Sequence, residues 1–85
     1  MLTADKDDDE GMLLMIEQLK YNETLRHLNV ANNRLDEKIG KAFVECLKVN
    51  HTLTNLEFSF NQFEVHTVRK IQEYLKRNKA KFDAE

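Results

Sequence analysis

The chain has very little of the residues that cross-link or interrupt a protein. It holds one cysteine, Cys46, no proline and two glycines among 85 residues. A single thiol cannot close an internal disulfide, and it has too few soft-ligand companions for a structural zinc site. With only Gly11 and Gly40 as flexible points, nothing in the composition breaks a helix.

Long apolar runs and a strong excess of one charge are also missing. The longest apolar run, Met12 to Ile16, is far shorter than the roughly 18 residues that span a bilayer, so we expect no membrane segment. The N-terminus is acidic and does not fit a signal peptide, which predicts a cytoplasmic chain. Thirteen basic and fifteen acidic residues give a net charge of −2, which argues against a nucleic-acid binder.

The charges that are present lie unevenly along the chain. Residues 5–10 hold five carboxylates and one lysine, whereas residues 69–85 hold six basic and three acidic residues. Such asymmetry can orient a domain on a partner. The simpler interpretation is a solvated loop at one end and, at the other, a solvated or partner-contacting helix.

An eleven-residue pattern occurs twice, twenty-eight residues apart. Residues 25–35 read L-x-x-L-x-V-x-x-N-x-L, and residues 53–63 read L-x-x-L-x-F-x-x-N-x-F. The same offset relates Asn22, Asn50 and Asn78. Self-similarity at a fixed period of this length indicates stacked supersecondary units.

This pattern resembles the leucine-rich repeat, and its period is similar to that of the ribonuclease-inhibitor-like subfamily. The resemblance implies an α/β solenoid of about 2.5 repeats, with parallel strands on the concave side and helices on the convex side. The residues support it independently, because Leu28 and Val30 alternate with polar neighbours as in a half-buried strand. Apolar residues at helical spacing predict helices over 11–20, 36–49 and 64–78.

We interpret the whole chain as one repeat segment with three parts: an acidic loop at 1–11, the repeats at 12–78 and a charged extension at 79–85. Met1-Leu2 aligns with Arg34-Leu35 in this register, so a preceding strand is missing and we expect the chain to be part of a longer array. Lys81 stands where the next Leu is due, which predicts that the array stops there.

The asparagine at the ninth position of each pattern predicts a structural role. Where the strand turns toward the helix, backbone groups lose their ladder partners, and a buried carboxamide offers both a donor and an acceptor. We therefore expect Asn33 and Asn61 to be buried and hydrogen-bonded to the backbone. The triplets that begin at Asn22 and Asn50 match the N-glycosylation pattern, but the repeat itself explains them.

Motifs for metal binding and catalysis are incomplete. Asp5, Asp7 and Asp9 have the first spacings of a calcium loop, but this register lacks the loop's glycine and its last acidic ligand. The shifted register that uses Gly11 and Glu17 places Lys6 at the first ligand, which favours a solvated acidic loop. The spacing of His27, His51 and His66 matches no metal motif, and Cys46 falls among core positions. We predict no enzyme activity, metal or cofactor.

The resemblance implies a non-catalytic protein–protein interaction or scaffold module, a subunit of a larger complex that binds a protein partner through the concave strand face. Related solenoids serve in cytoskeletal and ciliary assemblies. The alternative is a regulator of another enzyme, such as a GTPase activator, which would stimulate nucleotide hydrolysis by its partner. The outward strand positions predicted to contact the partner are Arg26, His27, Asn29, Thr54, Asn55, Glu57 and Ser59.

Overall fold

The computed structural model describes residues 2–3, 9–31, 35–59 and 61–84. Within them, three strands alternate with three helices. The elements in chain order are β1 (Leu2–Thr3), α1 (Asp9–Leu19), β2 (His27–Asn29), α2 (Glu37–Val49), β3 (Asn55–Glu57) and α3 (Val65–Ala84). None of the helices in these ranges combines the length and apolarity needed to cross a bilayer.

The strands form one parallel sheet in the order β1-β2-β3. Between β2 and β3, Leu28 pairs with Leu56, which confirms the 28-residue register predicted for these two units. The prediction for the N-terminus was wrong. Leu2 pairs with Leu28, not with Leu35, so a strand is present where none was expected. Its offset of 26 residues departs from the period, because the register depends on backbone pairing with β2 rather than on the side-chain pattern.

The helices pack side by side in the same order as the strands, with α2 between α1 and α3. The buried core lies between the two layers. It joins strand residues such as Leu28 and Leu56 to helix residues such as Phe43 and Ile71. Fully buried apolar side chains of this kind contribute about 1.5–3 kcal/mol each, so this shared core holds the units together.

Local signals explain where α2 begins and how closely it packs. The Asp36 side chain accepts a hydrogen bond from the backbone N–H of Ile39, an N-cap that satisfies one of the free amides of the first turn. At Gly40, an added Cβ would lie 2.9 Å from Cδ1 of Phe63. Glycine therefore allows the close approach of the next unit at this position.

A ladder of asparagines joins the turns that lead from helix to strand. Asn50 is only 2% exposed, and its Nδ2 donates to the carbonyls of Leu19 and Asn22, one unit earlier. Its Oδ1 accepts from the amides of Thr52 and Leu53. The glycosylation pattern at Asn50 is thus explained by structure, because the amide that a glycan would modify is buried and bonded.

Asn61 has the backbone hydrogen bonds predicted for the ninth position of the pattern, although it is half-buried and not fully buried as expected. Its Nδ2 donates to the carbonyls of Val30 and Phe58, and its Oδ1 accepts from the amide of Leu35, again crossing to the previous unit. Asn33, for which the same role was predicted, lies outside the described residues. So does most of the acidic loop, although Thr3 belongs to β1 and Gly11 to α1.

The last helix is longer than predicted and continues through the charged extension to Ala84. At Asn78, which is fully buried, Nδ2 still donates to the carbonyls of Asn50 and Leu53. The helix continues past Asn78, so within residues 79–84 no turn supplies amides to Oδ1. Instead, Nε and Nη2 of Arg77 donate to that oxygen at 3.0 and 2.8 Å.

Arg77 also caps the neighbouring helix. Its Nη2 donates to the carbonyls of Leu47 and Asn50 at the C-terminal end of α2, and its guanidinium lies 4.9 Å from the ring centroid of Tyr74. This corrects the expectation of a solvated basic face at this residue. One side chain replaces the donors of a turn and neutralises the negative end of a helix dipole.

Candidate functional site

The strand face is the row of side chains that β2 and β3 direct away from the core. The register places His27 beside Asn55 and Asn29 beside Glu57. His27, Asn55 and Glu57 are exposed, whereas Asn29 is half-buried and its Oδ1 accepts a hydrogen bond from the amide of Ala31. Since paired parallel strands lie about 4.8 Å apart, the exposed side chains form one continuous polar patch.

The three remaining residues predicted for this face lie at its margins. Ser59 is exposed just beyond β3, while Thr54 and Arg26 precede their strands and are half-buried. The Thr54 hydroxyl donates to the carbonyl of Arg26, a structural bond between the two units. Arg26 also lines a groove at the other end of the strands, so the structure does not group it with the face alone.

A shallow cavity of about 370 Å³ adjoins the strand face beside β3. Glu57 and Ser59 lie on its polar side, and Phe58 and Phe63 line its apolar side. The two rings are stacked with their centroids 6.0 Å apart. Partly exposed aromatic surface next to polar side chains is a common feature of protein interfaces.

Glu37, half-buried at the start of α2, connects two units through its carboxylate. It accepts hydrogen bonds from the backbone amide of Glu64 and from the hydroxyl of Thr67, next to the start of α3. Burial raises the pKa of Glu37, but these two bonds and the nearby charges of His66 and Lys41 outweigh it. The net effect is a pKa below the ordinary value.

Glu37, Glu64 and His66 have ligand atoms within 4.8 Å of one another, so the group has the composition of a metal site. Both oxygens of Glu37 already accept protein hydrogen bonds, and Glu64 and His66 are exposed. The arrangement is accounted for by packing between α2 and α3. It brings His66 near two carboxylates, which the spacing of histidines along the chain did not indicate.

Cys46 is fully buried, as expected for a core position. Burial is the main cause that raises the pKa of its thiol to about 11. At neutral pH the thiol is therefore protonated and a poor nucleophile.

Sequence reasoning missed three residues that the structure makes prominent. Arg77 is held by four hydrogen bonds instead of facing solvent, as described above. Tyr21 and Val49 are large apolar side chains left exposed near the turns after α1 and α2. The exposure of Tyr21 could have been predicted from its position in the turn after α1. Nothing in the spacing indicated Val49, which follows the apolar stripe of α2.

Residues 21–44 and 49–64 match the family described as Leucine Rich repeat. These two segments are similar to leucine-rich repeats. They include β2 and β3. The two eleven-residue patterns that contain these strands begin at residues 25 and 53. None of the curated proteins compared with the chain matches it. Leucine-rich repeats generally mediate protein–protein interaction and are typically non-catalytic.

Proposed function

We propose that this chain is a protein-interaction module whose partner binds the strand face. The observation that carries the proposal is the register of β2 and β3, which places exposed His27, Asn55 and Glu57 in one patch. The cavity beside Phe58 extends this patch with apolar surface. A polar patch with an aromatic margin can combine hydrogen-bond specificity with apolar burial.

In this proposal the repeats stack as a short solenoid of the ribonuclease-inhibitor-like type, with the strands on its concave side. The support is the parallel sheet, the equal order of strands and helices, and the 28-residue offset between β2 and β3. We place the module in the cytoplasm as a scaffold subunit of a larger complex, with a cytoskeletal or ciliary assembly as the setting. That placement rests on the sequence resemblance.

The test replaces the exposed side chains of the face and leaves the structural ones in place. In the variant His27→Ala, Asn55→Ala, Glu57→Ala, Asn29 is kept because it bonds to the backbone of Ala31. We expect this variant to melt like the parent chain and to lose capture of the main partner in quantitative affinity purification. Truncations at the centre of an interface can each cost about 2 kcal/mol or more, so three together should abolish capture.

A matched control removes the same kinds of side chain from the helices. His66→Ala, Gln18→Ala, Glu73→Ala deletes one imidazole, one amide and one carboxylate at exposed positions. It should capture the partner at full strength. Undiminished capture by the strand-face variant, or equal loss in both variants, would contradict the proposal. Stimulated nucleotide hydrolysis by the captured partner would favour an enzyme regulator over a scaffold.

A further inference from the structure

A groove of about 530 Å³ lies where the turns after α1 and α2 lead into β2 and β3. It is separate from the strand face, since it adjoins the N-terminal ends of the strands and the last turns of the helices. We call it the turn groove. The side chains that define its chemistry are Lys20, Tyr21, Arg26, Val49, His51 and Lys81.

The charge of the turn groove is positive. Lys20, Arg26 and Lys81 line it, against the single carboxylate of Glu23 among the described lining residues. Lys20 is half-buried and forms a long ion pair at the surface, with its Nζ 3.6 Å from the exposed carboxylate of Glu17. Pairs of this kind contribute little and leave the cation available to a partner.

The imidazole of His51 gives a second indication of this positive field. Partial desolvation lowers its pKa, and the positive charges of Arg77 and Lys81 lower it further. The part of this shift that Arg77 and Lys81 cause reflects a local positive field, and such a field favours an anion. The chain as a whole is slightly acidic, so the positive groove is a local arrangement and not a consequence of net charge.

Apolar surface is exposed in the same place. Tyr21 is 70% exposed and Val49 is 47% exposed. They are two of the four large apolar side chains left exposed in the described ranges, and both line the turn groove. Exposed apolar groups surrounded by charged residues are typical of interaction sites.

The C-terminal ends of two helices form part of the groove floor, and their carbonyls would by themselves disfavour an anion. The structure satisfies these carbonyls internally. Nδ2 of Asn50 donates to the carbonyls of Leu19 and Asn22, and Arg77 donates to those of Leu47 and Asn50. These carbonyls at the groove floor therefore already have hydrogen-bond donors within the chain.

We propose that the turn groove binds an acidic peptide segment of a partner protein, with an apolar side chain of that segment against Tyr21 and Val49. The cations select carboxylates, and the exposed ring and isopropyl group select a peptide over a small inorganic anion, which has no group to place there. This surface is distinct from the strand face and would bind a second partner segment at the other end of the same strands.

The probe is a short fluorescent peptide of Asp and Glu with one central Phe, measured by anisotropy against the full chain. The charge-reversal variant is Lys20→Glu, Lys81→Glu, and the matched control is Lys38→Glu, Lys76→Glu, two lysines on exposed helix positions outside the groove. We expect the groove variant to raise the Kd of the peptide about tenfold or more and the control variant to raise it about twofold or less. Both effects should become smaller as the salt concentration rises. Circular dichroism melts verify that both variants fold.

A second arm tests the apolar part of the site. Tyr21→Ser, Val49→Ser should weaken the Phe peptide but leave a Phe-free peptide of the same charge unchanged. Equal weakening by the two charge-reversal variants would overturn the proposal, because binding would then follow net charge alone. The proposal would also be overturned if inorganic phosphate displaced the peptide and the serine variant had no effect. The groove would then be a simple anion site. Capture at the strand face is measured separately, so failure here does not affect that proposal.

Discussion

The asparagine ladder allows a sharp test, because Asn22 and Asn50 occupy the same repeat position but differ in burial. Asn50→Ala leaves the buried Leu53 amide without its partner, whereas the Leu19 carbonyl loses the bond from Asn50 and keeps the one from the backbone amide of Asn22. An unpaired buried group costs about 1–3 kcal/mol and a lost hydrogen bond about 0.5–1.5 kcal/mol, so we expect a loss of about 1.5–4.5 kcal/mol. A domain of this length has a total stability of about 4–13 kcal/mol, so the loss is a large share of it.

Asn22→Ala is the matched control. Its Oδ1 accepts from the exposed amides of Thr24 and Leu25, which water can satisfy after truncation. The expected loss is therefore below about 1 kcal/mol. Urea melts followed by circular dichroism measure both free energies of unfolding, and the Asn50→Ala melting temperature should fall by at least about 6 °C.

A second substitution at the same position separates the donor from the acceptor. Asn50→Asp keeps an oxygen for the amides of Thr52 and Leu53 but turns a carboxylate oxygen toward the carbonyls of Leu19 and Asn22. It should be at least as unstable as Asn50→Ala at neutral pH. Equal unfolding free energies for Asn50→Ala and Asn22→Ala would refute the reasoning, since burial would then have no bearing on the cost.

Two further predictions concern the contacts between α2 and α3. Arg77→Met removes the donors to the buried Asn78 oxygen and to the α2 carbonyls, and should lower the unfolding free energy by about 1–3 kcal/mol. The control Lys79→Met, at an exposed position, should change it by less than about 0.5 kcal/mol. Equal effects of the two substitutions in urea melts would show that the Arg77 bonds do not stabilise the fold. Because the folded pKa of Glu37 lies below its ordinary value of 4.5, the carboxylate stabilises the fold above that pH and loses this effect as pH falls through the folded pKa. The stability difference between the parent chain and Glu37→Gln should therefore shrink in acid, and two parallel stability–pH curves would contradict the assignment.

The sequence alone was enough to predict the repeating unit and most of its contents. The 28-residue recurrence of apolar positions placed β2, β3 and the three helices, because the periods of strand and helix are local properties of the chain. It also indicated the structural role of Asn61 and the burial of Cys46. The pairing of His27 with Asn55 followed from the same recurrence, since equal offsets place equal positions side by side in a parallel sheet.

The tertiary structure decided what depends on partners distant in sequence. β1 forms because the backbone of Leu2 pairs with that of Leu28, although the 26-residue offset between them differs from the 28-residue repeat. Arg77 looked like one of several solvated cations, and only the packing of α3 against α2 brings it to carbonyls 27 and 30 residues away. The turn groove likewise joins side chains from two successive turns and the last helix, which no local pattern relates. Its positive charge and exposed apolar surface arise only when the units stack.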